Sequence, residues 1–128
     1  EANPKAVAKI IASCDAFVHA NDKEPFGLIV LEAMACGRPV VGVNSGGVAE
    51  TVDHEVGQLA ASADPIEYAA AVEALFARDI EAIGVAARAR MVERFAWTRV
   101  FEDLSDVYAE VSGANAFRRS SVSEMVAV

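Results

Sequence analysis

Apolar positions run almost unbroken from Phe26 to Cys36, where only Glu32 is neither apolar nor glycine. Glu24-Pro25 precedes this run and Gly37-Arg38-Pro39 follows it. Proline suits the first turn of a helix, because it has no N–H to leave unpaired there. It also pushes the residue before it out of the αR region, which puts Glu24 at the cap. Gly37 fits the C′ position, and Pro39 stops the helix. The pattern predicts a helix of about three turns, apolar nearly all round and therefore buried.

The flanking chain alternates strands and helices. Pro4 to Ser13 reads as a helix with Val7, Ile10 and Ile11 on one face. Asp15 to His19 and Pro39 to Val43 are short apolar runs that suit buried parallel strands. Asn44-Ser45-Gly46-Gly47 is a loop into a short helix through Glu50, and Val56 to Ala60 is a last short strand or turn. Asp64-Pro65-Ile66-Glu67 is a helix start, with an Asp cap, Pro first and Glu third. That helix runs to about Ala77 and should bury Ala69, Val72 and Phe76. Asp79 caps another that reaches Arg94. Phe95-Ala96-Trp97 breaks the pattern. Thr98 then caps a final helix with a stripe of Phe101, Leu104, Val107, Tyr108 and Val111. Trp97 and Tyr108 read as packing residues. The alternation predicts an α/β fold, a partial Rossmann-like parallel sheet flanked by helices. Residues 1–112 form the folded lobe, and residues 113–128, with Arg118-Arg119-Ser120-Ser121, read as a polar, flexible tail.

Composition narrows the partners. The chain has 128 residues, is 54% hydrophobic and carries a net charge of −8, from 19 acids against 11 bases. Its bases are mostly scattered singly, which argues against a nucleic-acid surface. No apolar run approaches the roughly 20 residues of a membrane span. Cys14 and Cys36 form no metal-binding spacing and read as buried free thiols. The sequence begins at Glu1 rather than Met, which suggests part of a longer protein, with further strands of the sheet lying before Glu1.

Two features of the Phe26–Cys36 helix invite a ligand. Its N-terminus exposes the N–H groups of Phe26, Gly27, Leu28 and Ile29 at the positive end of the helix dipole, an anion site suited to phosphate. Glu32 is a carboxylate on a buried helix, costly unless hydrogen-bonded, and a sugar diol could supply two donors. On a helix, Glu24 and Glu32 would lie about 12 Å apart along the axis. The plain alternative for Glu32 is satisfaction by loop N–H groups or a neighbouring Arg. Gly46-Gly47 could let backbone approach a phosphate or sugar, although a tight turn is the commoner meaning. His19 falls at a strand's C-terminal end, where ligands gather in open α/β sheets. A loop histidine bonded to backbone is the favoured reading of it.

Glu24-Pro25-Phe26-Gly27, then Glu32-Ala33-Met34-Ala35-Cys36-Gly37, then Pro39-Val40-Val41, resembles the Glu-x7-Glu segment of the family-four retaining glycosyltransferases. Weaker similarity extends through Gly46-Gly47, Glu50 and Gly57 to Phe95-Ala96-Trp97 and Tyr108. Relatives often have Pro where Ala49 stands. The resemblance implies the second, nucleotide-sugar-binding lobe of a two-lobed GT-B fold. It implies transfer of a hexose from a nucleotide diphosphate-sugar to an acceptor hydroxyl with retention, in glycan, glycolipid or polysaccharide synthesis. It assigns the ribose to Glu32, the phosphate to the amides of Phe26, Gly27, Leu28 and Ile29, and the donor sugar and reacting face to Glu24. It implies no cofactor and no metal, since the nucleotide-sugar is a substrate. The implied partners are that donor, a sugar or lipid-linked acceptor, and the missing N-terminal lobe. The phosphate-gripping Arg and Lys of the family lie upstream of Glu1, so the isolated chain is expected to be inactive. The expected location is the cytoplasm, with any contact to the inner membrane face made by other regions. Two alternatives stand beside this reading: a non-catalytic nucleotide-sugar-binding module that pairs with another chain, and a nucleotide-sugar epimerase on the same scaffold.

Overall fold

The computed structural model describes residues 3–112. In chain order the elements are α1 (Pro4–Ala12), β1 (Phe17–His19), α2 (Leu28–Ala35), β2 (Val40–Val43), α3 (Gly46–Thr51), β3 (Gly57–Ala60), α4 (Pro65–Phe76), α5 (Ile80–Phe95) and α6 (Trp97–Ser112). The strands form one parallel sheet in the order β1-β2-β3, with Phe17 opposite Val40 and Val40 opposite Gly57. The expected α/β class and parallel sheet are therefore found.

β2 is the centre of the sheet, and all four of its residues are buried. A parallel strand covered on both faces needs such a continuous apolar run. Val41 and Val43 meet Tyr68, Ala71 and Leu75 of α4, together with Ala60 and Ile83. The Tyr68 hydroxyl donates to the Val41 carbonyl at 2.7 Å, so its burial leaves no polar group unpaired. The buried face of α4 is thus Tyr68, Ala71 and Leu75; the expected Ala69 and Phe76 are exposed and Val72 is half-buried. Apolar residues surround this helix, so its pattern does not fix its rotation. Tyr68, the one residue needing both burial and an acceptor, does.

α2 departs from expectation at its start. It begins at Leu28 rather than Pro25, capped by Gly27 in a left-handed conformation with φ +83°. Backbone at that angle cannot continue a helix, and only glycine adopts it without strain. Pro25 and Phe26 therefore stay in the loop. The other end is as expected. Arg38 N–H donates to Ala33 O (3.0 Å) and Gly37 N–H to Met34 O (2.9 Å), with Gly37 at φ +71°. This pairing is a Schellman turn. Val30, Leu31, Ala33 and Met34 are buried, while Leu28 and Glu32 are exposed on a stripe of their own.

α1 also differs in its face. Its cap is Asn3, whose side chain accepts the Lys5 N–H at 3.0 Å. Only Ile11 is buried; Val7 is half-buried and Ile10 exposed. Both cysteines are free, but Cys14 is exposed and Cys36 only half-buried, so neither is the sunken thiol expected.

The fold separates into one compact unit ending at Ala89 and a second from Arg90 onward. In the second, α6 starts at Trp97 rather than after Thr98, and the Ala96 carbonyl accepts the Val100 N–H at 3.0 Å. The Trp97 and Phe101 rings stack with centroids 5.6 Å apart. Trp97 thus packs on its own helix, although Trp97 and Tyr108 are 70% and 66% exposed. The tail expected over 113–128 lies outside the described residues. Among the described residues, no helix is long and apolar enough to cross a membrane.

Candidate functional site

The loops that follow β1 and β2 meet at the C-terminal end of the sheet, the usual ligand side of an open parallel sheet. Their union is made by backbone. Gly47 N–H donates to Glu24 O at 3.1 Å, and Ser45 Oγ donates to Asp22 O at 2.8 Å. A Cβ on Gly46 would stand 2.4 Å from Glu24 O, and one on Gly47 would stand 2.6 Å from both Phe26 Cα and Pro25 O. The glycine pair therefore admits the Glu24–Phe26 backbone. Gly47 is buried beneath it and Gly46 is exposed.

This junction sets Glu24. Its carboxylate is half-buried, with Oε1 accepting the Gly27 N–H at 3.1 Å. Oε2 accepts from Asn21 Nδ2 at 3.3 Å. Asn21 is itself fixed, because its Oδ1 accepts the Lys23 N–H at 3.1 Å and closes a tight turn. Glu24 thus lies just ahead of the helix, with its carboxylate tied to the residue that caps α2.

The four amides expected to face a phosphate divide. Phe26 precedes the helix, and its side chain is exposed. The Gly27 amide is taken by Glu24. Gly27 O accepts the N–H groups of Val30 (2.9 Å) and Leu31 (3.2 Å). The amides of Leu28 and Ile29 come before these and have no helical carbonyl to reach. No side chain caps this end. Leu28 and Ile29 are therefore the open donors at the positive end of the α2 dipole.

Glu32 does not face inward. It is exposed, on the stripe of α2 turned towards α1. An unpaired carboxylate is driven to where water reaches it. It lines a cavity of about 410 Å³ together with Pro4, Val7, Ala8, Ile11, Ala35 and Cys36. On this otherwise apolar wall the Glu32 carboxylate is the one charged hydrogen-bond acceptor. Because Glu24 sits in the loop, the helical spacing between the two acids does not apply.

His19, which the sequence marks but reads as a loop histidine bonded to backbone, and Asn21, which it does not mark as a site residue, both lie against the Glu24 carboxylate. His19 Nε2 lies 3.5 Å from Glu24 Oε2. The nearest sequence signal is the position of His19 at the end of β1.

The profile described as "Glycosyl transferases group 1" matches residues 1–94. The chain belongs to the group 1 glycosyl transferases. It is 36% identical over 94 residues to human alpha-1,3/1,6-mannosyltransferase ALG2, covering 71% of this chain and 22% of that protein. It is 39% identical over 103 residues to D-inositol 3-phosphate glycosyltransferase of Geodermatophilus obscurus, covering 80% of this chain and 22% of the relative. Among solved structures, sucrose-phosphate synthase of Thermosynechococcus elongatus superposes with a TM-score of 0.75 at 29% identity, over 86% of this chain and 28% of that one. Anabaena HepE in complex with UDP and glucose gives 0.71 at 29% identity, over 80% and 29%. This group 1 chain therefore spans between a fifth and a third of the length of these relatives, and its sheet is that of the second GT-B lobe.

Proposed function

We propose that the protein containing this chain transfers a hexose from a nucleotide diphosphate-sugar to an acceptor hydroxyl with retention at the anomeric carbon. One observation carries the reading: α2 opens the free amides of Leu28 and Ile29 at the ligand side of the sheet, beside the fixed carboxylate of Glu24. In this reading those two amides receive the diphosphate. They stabilise the charge that builds as the bond between the anomeric carbon and the phosphate oxygen breaks. Basic side chains from the rest of the protein share that work. Glu24 holds hydroxyls of the donor sugar at the reacting face. Glu32 takes the ribose hydroxyls, and the apolar wall between α1 and α2 receives the base. HepE was solved with UDP-glucose, which supports a nucleotide-sugar as the donor class. The acceptor is a sugar or a lipid-linked sugar, bound mainly by parts of the protein outside this chain. The chain alone turns over no donor, since it spans a minor part of its relatives; a radiolabelled-donor assay on it should give only background.

The assignment of Glu32 is tested by titrating UDP and GDP into the complete protein by calorimetry. Glu32→Ala should weaken the nucleotide that binds by about ten- to a hundredfold, because it removes hydrogen bonds to a charged acceptor. Unchanged affinity would remove the ribose role.

A further inference from the structure

His19 ends β1 and is not bonded to backbone through its outer nitrogen, as a plain loop histidine would be. Among the described residues, only two buried side-chain polar atoms lack a hydrogen-bond partner, and His19 Nε2 is one of them. The ring is held on its other side by Phe17, with centroids 6.2 Å apart and planes at 18°. The side chain is 15% exposed and that of Glu24 23%. Nε2 stands 3.5 Å from Glu24 Oε2, close enough for a small shift to close the bond. A buried imidazole nitrogen left without a partner is costly, so its retention calls for an explanation.

We propose that His19 is a positioning residue for Glu24. When the donor sugar engages the carboxylate, His19 Nε2–H closes onto Oε2. Gly27 N–H then holds one oxygen while Asn21 and His19 hold the other. Three donors from β1, the turn and the helix cap fix the plane of the carboxylate against the sugar. Such fixing acts on the rate rather than on binding of the nucleotide, since a misplaced group costs most in the transition state. The proposal rests on the transferase reading above.

The test uses the full-length protein and the donor it turns over fastest among UDP-glucose, UDP-galactose and GDP-mannose, followed as transfer or donor hydrolysis. His19→Ala should lower kcat by about ten- to a hundredfold. The donor KM and the affinity for the free nucleoside diphosphate should stay within about twofold. His19→Gln, whose amide nitrogen falls near the Nε2 position, should restore most of the rate. Adding His19→Ala to Glu24→Gln should cost little more, because the two act as a unit. Thermal unfolding checks that each variant is folded. If His19→Ala is not, His19→Asn, whose nitrogen falls near Nδ1, replaces it in the comparison with His19→Gln. An unchanged kcat, a loss confined to KM, or fully additive losses with Glu24→Gln would each overturn the proposal. If the unmodified protein turns over no donor in the panel, the transferase reading itself fails and this proposal falls with it. Turnover with a silent His19 variant sinks the proposal alone.

Discussion

Tyr68 is the residue whose chemistry most directly holds the sheet to a helix. Burial pushes its phenol above the usual value of 10.0, opposed in part by the His19 backbone. The neutral hydroxyl donates to Val41 O, so the folded state favours the protonated form. The sign follows. A group whose value is raised by folding contributes stability in full below about pH 10, and that contribution is lost as pH rises through the folded-state value. Tyr68→Phe should lower stability by about 0.5–1.5 kcal/mol at neutral pH. It should also flatten the fall in stability above pH 10 relative to the unmodified chain, as read from urea unfolding across that range. Equal slopes for the two proteins would show that the phenol does not sense its burial. Glu24 teaches a complementary lesson. Its place in the loop ahead of a helix was legible in the Glu-Pro-Phe-Gly run. Its neighbours were not, because Asn21 and His19 reach it only once the turn has formed.

At the scale of the element, α2 is defined by the conformation of its cap. Gly27 at φ +83° decides where the helix starts and so which amides remain open. An added Cβ there would meet only ordinary contacts, at 3.6 Å from Glu24 Cγ and Val30 Cβ. The cost of Gly27→Ala is therefore conformational, about 1–2 kcal/mol. Gly27→Asn should cost less, because asparagine tolerates left-handed backbone. Denaturant midpoints of the two variants check the order. The same element shows what sequence could and could not say. Its C-terminal glycine and proline placed the end correctly, since a Schellman turn is local. Its start moved because a local signal, Pro25, lost to Gly27 and to the tie between Gly47 and Glu24. Likewise the Asp64 cap of α4 is found, with Oδ1 accepting the Ile66 and Glu67 amides at 2.9 and 3.3 Å. Glu67 does not complete the box; it accepts from Ser62 Oγ at 2.6 Å. The rotation of α4 needed the sheet, which no helical period contains.

For the whole molecule, the strand count and direction were legible, while the exposure of Glu32 was not. An apolar sequence window cannot tell a helix buried on all sides from one with a solvent stripe. The second unit carries the clearest consequence. On α6, Leu104, Val107, Tyr108 and Val111 are exposed together, and such a stripe promotes association. The net charge of −8 opposes it through self-repulsion, which salt screens. Sedimentation should therefore show concentration-dependent association that grows with ionic strength. Leu104→Glu with Val107→Glu should abolish it. Salt-independent behaviour of both proteins would mean the stripe is not self-adhesive.

The tie between Gly47 N–H and Glu24 O carries a last implication. Two segments distant in sequence are tied to each other, so a backbone shift engineered into either one should be transmitted to the other. Directed evolution of this lobe should treat residues 21–27 and 44–47 as one library, because a winning substitution in the first will often need a matching one in the second.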